Sequence, residues 1–260
     1  MSNGGIIGPY NPTAIEIASG IWNLNDVRQQ RSVLGWPRPP GTLTFRTSTT
    51  GFGTNTAITL THPAGVVAGD LCVLIHCTFD DDEDTLVDAP SGFTILQSRR
   101  FEYLSPNWMS QVNSYRILPN TNAVTLPSTG VQSTTDANET VDNQAYVALY
   151  FYLDRNIEKV SIRSLFSFAS TADPSSRTTD TNLYTNTPIL VLGSVFVTSG
   201  VPAFNASTTT FDGTVTNTSA TNVEMIVGYR VYNTVATTTF VIDCDDISNQ
   251  IVTSIALAVQ

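Results

Sequence analysis

The feature that most restricts the fold of this chain is an alternation of apolar and other side chains with a period of two. Every odd position of residues 71–79 is apolar, and similar alternation runs through residues 145–153, 222–232 and 251–259. Successive side chains of a strand point to opposite faces of a sheet, so the pattern predicts half-buried β-strands. Turn-forming residues such as Pro63-Ala64-Gly65 separate the strand segments.

Other parts of the chain extend this pattern into an all-β domain. About a dozen short strands with almost no helix predict two packed antiparallel sheets, a β-sandwich or a jelly-roll-like domain, over residues 41–260. The Ser-, Thr- and Asn-rich stretches 128–144, 170–187 and 205–222 are expected to form long loops or a protruding hairpin. Eight further segments are predicted to be strands: Leu43–Thr47, Thr56–His62, Phe93–Phe101, Met109–Leu118, Ala123–Leu126, Val160–Phe166, Ile189–Thr198 and Thr238–Cys244.

The composition excludes several classes of protein. Hydrophobic residues make up 41% of the 260 residues and charged residues only 13%, the opposite of the balance in disordered chains. The formal net charge of −10 argues against nucleic acid and against an anionic membrane surface as partners. No apolar run approaches the roughly 18 residues that span a bilayer, so we expect no membrane insertion. The opening residues have neither the basic start nor the apolar run of a secretory signal.

Residues 1–40 differ from the rest of the chain and are predicted to form an N-terminal anchoring arm. They are rich in Gly and Pro turn signals, and they contain one predicted small helix that Asn25 caps and Gly35 ends. Apolar residues flank this helix on both sides, and a short helix cannot bury them by itself. We therefore expect the arm to lie on the main domain or on another chain.

The densest charged run, Asp80–Asp84, directly follows the alternating segment 71–79. Calcium prefers several carboxylate oxygens on a flexible loop, which makes Asp80, Asp82 and Asp84 candidate calcium ligands. Their spacing does not match the EF-hand loop. The competing interpretation, which we favour, is a loop whose charges only keep it solvated. No other metal and no cofactor is indicated.

The sequence offers little for catalysis. His62 and His76 are the only histidines, and neither lies in a nucleophile motif of the G-x-S-x-G type. Cys72 and Cys77 are five positions apart in one predicted strand, so they point to opposite faces and cannot form a disulfide. These four side chains are expected to be structural, and no enzymatic activity is expected.

Three tyrosines, Tyr146, Tyr150 and Tyr152, share the less apolar face of the predicted strand 145–153. A tyrosine combines an apolar ring with a hydroxyl group, so such a row suits stacking on a sugar or contact with another subunit. It can equally face a second layer of its own domain. The sequence leaves these three locations open.

The opening of the chain resembles a short segment of structural proteins from marine tailed bacteriophages. The match rests on Gly4-Gly5-Ile6-Ile7-Gly8-Pro9, then Ser19-Gly20-Ile21-Trp22-Asn23-Leu24, and last Gly35-Trp36-Pro37. A second, looser resemblance is to a β-sandwich of phage and bacterial surface proteins. It rests on Pro63-Ala64-Gly65, Gly69-Asp70-Leu71 and Pro90-Ser91-Gly92-Phe93, with Phe93 at a position that Trp usually holds in that sandwich.

The resemblance implies a non-enzymatic virion structural protein, either a tail fibre or a tail-associated surface protein. A capsid decoration protein and a glycan-binding module are the alternatives. It also implies assembly in the host cytoplasm, location in the virion, contact with other virion proteins, and a homo-oligomer that is a trimer if the protein is a fibre. A host-surface glycan is a further candidate partner. The expected docking residues of the arm are Ile21, Trp22, Leu24, Arg28, Arg31, Trp36 and Pro37.

Overall fold

The chain divides into two units, residues 1–40 and residues 41–260. The computed structural model describes parts of the second unit: residues 41–54, 56–81, 86–104, 107–131, 138–170, 177–182, 187–205, 208, 210–220, 223–233, 237–243 and 250–260. The predicted arm and its small helix lie outside the described residues. So do its expected docking residues, Ile21, Trp22, Leu24, Arg28, Arg31, Trp36 and Pro37.

The described residues form strands and no helix, so no helix among them is long and apolar enough to cross a membrane. The strands are β1 (Leu43–Thr54), β2 (Ile58–Leu60), β3 (Leu71–Asp80), β4 (Leu86–Val87), β5 (Thr94–Leu104), β6 (Asn107–Ile117), β7 (Val124–Leu126), β8 (Thr129–Val131), β9 (Asn138–Thr140), β10 (Asn143–Leu153), β11 (Val160–Ser170), β12 (Arg177–Asn182), β13 (Ile189–Val197), β14 (Gly213–Ala220), β15 (Val223–Tyr232), β16 (Thr237–Ile242) and β17 (Gln250–Val259).

Two five-stranded antiparallel sheets dominate the domain. The first has the order β1-β10-β3-β6-β5, and the second has the order β11-β17-β13-β15-β14. Residues 43–153 supply the first sheet and residues 160–259 supply the second, so successive halves of the domain build the two sheets. The inner faces of the sheets pack on each other, which confirms the predicted all-β sandwich.

The main core lies between these inner faces. It contains the odd positions of β3 from Leu71 to Phe79 and those of β10 from Ala145 to Leu153, the positions that the alternation marks as apolar. Phe45 of β1 stacks on Tyr229 of β15 across the sandwich, with ring centroids 4.3 Å apart. The alternation therefore identifies the face of each strand that enters this core.

The outer faces of the central strands are also buried, whereas the alternation predicts half-buried strands. β3, β13 and β17 are buried at every position. Behind the first sheet, the pair β2 and β7 packs on Leu74, and the small sheet of β4, β8 and β9 covers Val112. Behind the second sheet, Ile242 of β16 and the ring of Phe211 pack on the outer face. The prediction was wrong because the even positions carry enough small and apolar side chains to hold a further layer.

The three stretches predicted as loops contain strands. β8 and β9 lie within residues 128–144, β12 lies within 170–187, and β14 lies within 205–222. β14 is an edge strand of the second main sheet, and among the described strands it pairs only with β15. Within 128–144, β8 pairs with β9 and forms the hairpin that was the alternative to a loop. The loop prediction was wrong for β12 and β14, because an edge strand is held by backbone hydrogen bonds, which leave no apolar alternation in the sequence.

Two asparagine side chains close one side of the sandwich. Asn217 of β14, 2% exposed, donates from Nδ2 to the backbone carbonyls of Gly51 and Tyr146 over 3.0 and 3.1 Å. Asn233, just after β15, accepts from the backbone N–H of Leu43 over 2.7 Å and donates to the carbonyl of the same residue over 3.0 Å. Each side-chain amide therefore hydrogen-bonds to backbone groups of the first sheet and so joins the second sheet to the first.

Candidate functional site

The tyrosine face of β10 lies inside the protein. Tyr146 and Tyr150 are 4% and 0% exposed, and they belong to the cluster that β2 and β7 cover. Of the three locations that the sequence leaves open, these two residues occupy the internal layer. A direct contact of either ring with a glycan or a subunit is incompatible with this burial, because the covering strands stand in the way.

Tyr152 is the partly exposed member of the row. The guanidinium of Arg46 lies 4.5 Å from the centre of its ring. The same guanidinium forms an ion pair with Asp70, with Nε and Oδ2 separated by 2.7 Å. Asp70 is 2% exposed and also accepts from the backbone N–H of Val67 over 3.0 Å. Tyr152 therefore covers a structural ion pair that fixes β1 to the turn before β3.

His62 and Tyr150 form a partly buried contact behind the first sheet, with 2.9 Å between Nδ1 of His62 and the tyrosine hydroxyl. Burial lowers the pKa of His62 and raises the pKa of Tyr150 well above its usual range. Burial also raises the pKa of the neighbouring Cys72 thiol to about 12, although the hydroxyl of Tyr150 opposes this shift. A thiol with so high a pKa is a poor nucleophile, so Cys72 is poorly suited to nucleophilic attack.

His76 lies on the same face of β3 and is 1% exposed. Its Nε2 donates to Oε1 of Gln144 over 2.8 Å, and Nδ1 has no hydrogen-bond partner among the described residues. Burial lowers the pKa of His76 to about 4, although the bond to Gln144 opposes the shift. The ring is therefore neutral at physiological pH, with its proton on Nε2. It serves as a hydrogen-bond donor that orients Gln144.

Three acidic side chains lie close together at the end of β3. Carboxylate oxygens of Asp80, Asp81 and Asp142 lie within 4.8 Å of one another. Oδ2 of Asp142 accepts from the backbone N–H of Asp81 over 2.9 Å. These are the residues in the described ranges that could hold a divalent cation, whereas the predicted ligands Asp82 and Asp84 lie outside those ranges.

Asp142 was not predicted as part of this group, because it lies 61 residues from Asp81 in the chain. The pairing of Phe79 with Asn143 brings the end of β3 to the start of β10 and so brings the carboxylates together. The proximity of Asp142 to Asp80 and Asp81 therefore depends on the antiparallel register of β3 and β10, which the sequence alone does not reveal.

A band of buried polar side chains crosses the core between the two sheets. Gln111 of β6 donates to Oγ of Ser194 over 2.7 Å and accepts from Oγ1 of Thr253 over 3.0 Å. A cavity of about 10 Å³ adjoins this band and is lined by Asn113 and otherwise mostly by aliphatic side chains. Such a volume holds about one water molecule. The band thus joins the sheets by hydrogen bonds and leaves no room there for an organic substrate.

The chain matches no known protein-family model, and no curated protein matches it. His76, Cys72 and Cys77 are buried, His62 is partly buried beside Tyr150, and both cysteines are free thiols. These four side chains therefore lie within or beside the packed layers of the sandwich.

Proposed function

We propose that this protein is a non-enzymatic structural protein of a tailed bacteriophage particle. Its role is that of a tail fibre or a tail-associated surface protein, and its arm of residues 1–40 docks it onto other virion proteins. The observation that carries the proposal is the order of Gly, Trp and Pro across residues 4–37, which resembles the segment of phage structural proteins. The neutral, buried states of His76 and Cys72 support the non-enzymatic part of the proposal.

The architecture of the domain supports a role in a particle that must survive outside cells. Further layers cover both faces of the sandwich, and Asn217 and Asn233 join the two sheets along one side. Few charged side chains remain, since charged residues make up 13% of the chain. The free thiols of Cys72 and Cys77 are compatible with assembly in a reducing host cytoplasm. The proposed location is the virion.

The test is incorporation of tagged protein into particles. Full-length protein is expected to co-purify with virions, whereas a variant without residues 1–40 should fold and stay in the unassembled fraction. A second variant, Trp22→Ala with Trp36→Ala, removes the two largest apolar docking residues and should have the same effect. Circular dichroism of the unassembled protein verifies its β structure. Incorporation of the truncated protein at the full-length level would overturn the docking role of the arm.

Two alternatives lead to different results. A capsid decoration protein is present in hundreds of copies per particle, whereas a tail component is present in tens or fewer, so quantitative mass spectrometry of purified virions separates them. A glycan-binding module would have to use surfaces other than Tyr146 and Tyr150, because both are buried. Because this candidate glycan-binding surface is buried, the structural role is preferred to glycan binding.

A further inference from the structure

The side of the sandwich opposite Asn217 and Asn233 is formed by β5 and β11, which are edge strands of the two main sheets. Each pairs with a single neighbour, β6 for β5 and β17 for β11, so among the described strands nothing pairs with their outer edges. Edge strands present unpaired backbone groups that can pair with another chain. This side is therefore the part of the domain best suited to an interface.

Apolar side chains are left uncovered along this side. Ile162 and Leu165 of β11 pair with the core residues Leu257 and Ile255, and yet they are 48% and 40% exposed. Side chains that pair with core residues are normally buried by a neighbouring layer. No described residue buries Ile162 or Leu165 in this way.

The charge of this side is opposite to that of the domain. β5 and β11 contain Arg99, Arg100 and Arg163 and one acidic residue, Glu102, so the two strands carry a net charge of +2, although residues 41–260 carry −11. The rest of the domain therefore carries −13. Arg99 and Arg163 are exposed. We call the surface of Arg99, Ile162, Arg163 and Leu165 the basic edge.

We propose that the basic edge binds an acidic surface of a second copy of this chain. Charge complementarity favours this occupant, because a surface of two arginines and two aliphatic side chains meets a domain whose remaining surface is strongly negative. Residues 1–40 are a poorer match, since they carry a net charge of +1.

The same charges determine the geometry of the contact. A symmetric pairing of two basic edges would bring the arginines of both copies together, and like charges in contact cost several kcal/mol. The contact is therefore head to tail, with different surfaces on the two copies. Head-to-tail contacts generate rings when the rotation between copies closes. The place of this contact in a virus particle rests on the proposed virion role.

The experiment uses the purified full-length chain, so that its failure is distinct from a failure of particle incorporation. Sedimentation velocity at about 0.05 M NaCl should give an oligomer, and about 0.5 M NaCl should weaken it, because salt screens exposed charges. The double variant Arg99→Glu with Arg163→Glu should weaken self-association by roughly 100-fold. The matched control, Arg116→Glu with Arg230→Glu, makes the same change of net charge outside the basic edge and should leave the oligomer intact.

A mixing experiment tests the head-to-tail geometry. The Arg99→Glu, Arg163→Glu variant keeps its acidic surface, so a labelled sample should bind wild-type protein although it does not bind itself. A variant of the apolar part, Ile162→Thr with Leu165→Thr, keeps strand-forming residues and should also weaken the oligomer.

Several results would overturn the inference. One is a wild-type chain that stays monomeric at low salt, and another is an oligomer that survives the double reversal. Loss of the oligomer only on removal of residues 1–40 would assign the contact to the arm. Binding of a polyanionic glycan such as heparin to a monomeric chain through Arg99 and Arg163 would assign the basic edge to a glycan.

Discussion

Acidification is expected to destabilise the domain through His76, which is buried, whereas His62 is only partly buried. Its ring is neutral in the folded protein and donates from Nε2 to Gln144. Burial lowers its pKa from the ordinary 6.5 to about 4. As the pH falls below 6.5, the unfolded chain binds a proton at His76 that the folded chain does not bind. The contribution to stability is therefore complete above the unfolded pKa and is lost as the pH falls towards the folded pKa.

The size of the effect follows from the two pKa values. One pKa unit of difference between the folded and unfolded states corresponds to about 1.36 kcal/mol. For a shift from 6.5 to about 4, the free energy of unfolding should fall by about 2.5 kcal/mol between about pH 7.5 and about pH 4.5. This is a large share of the stability of an ordinary domain, which is roughly 5–15 kcal/mol.

The assay is urea denaturation of the wild type and of His76→Gln at both pH values. Gln keeps a donor for Gln144 and does not titrate, so the difference in unfolding free energy between the two proteins should shrink by about 2.5 kcal/mol on acidification. Carboxylates that titrate in the same range affect both proteins and cancel. His62→Gln serves as the control for the other histidine, whose pKa burial also lowers. An unchanged difference, or a pKa near 6.5 for His76 by NMR, would refute the reasoning.

Three further predictions concern the packing of the layers. Asn217→Ala removes two hydrogen bonds to backbone carbonyls, so thermal and urea denaturation should show a loss of about 1–3 kcal/mol; an unchanged midpoint would contradict the role of Asn217 in joining the two sheets. Gly193→Ala would place a Cβ 2.7 Å from both Phe211 and Ile242, and the same measurements should show a loss of about 1–3 kcal/mol; no loss would mean that the outer layer is loosely held. Cys72 and Cys77 should resist iodoacetamide until the protein unfolds, because burial raises the pKa of both thiols; peptide mapping that finds rapid native labelling of either would show the layer to be open.

The edges of the fold show where sequence reasoning reaches its limit. The strong alternation of residues 71–79 and 145–153 predicts β3 and β10 because each strand must place one apolar face in the core. β14 has no such alternation, since Val215 is the only large apolar residue among its eight positions. It is a strand because β15 supplies backbone partners, and that pairing depends on where the rest of the chain brings β15.

The candidate site shows the same limit for side chains. The position of Tyr150 on the outer face of β10 follows from its even register, but its burial depends on β2 and β7, which lie far from it in the chain. Asp142 joins Asp80 and Asp81 only through the register of β3 and β10. The basic edge likewise needs β5 and β11, which come from different halves of the domain, to lie next to each other.

The sequence by itself determined that the chain builds strands, which face of each central strand enters the core, and that Cys72 and Cys77 point to opposite sides. These properties are local, because the geometry of an extended backbone alternates side chains whatever the strand pairs with. Only the tertiary structure decided which outer faces were covered, which carboxylates met, and which edge was left open. Those outcomes depend on contacts between residues far apart in the chain, and the periodicity of a single segment carries no information about them.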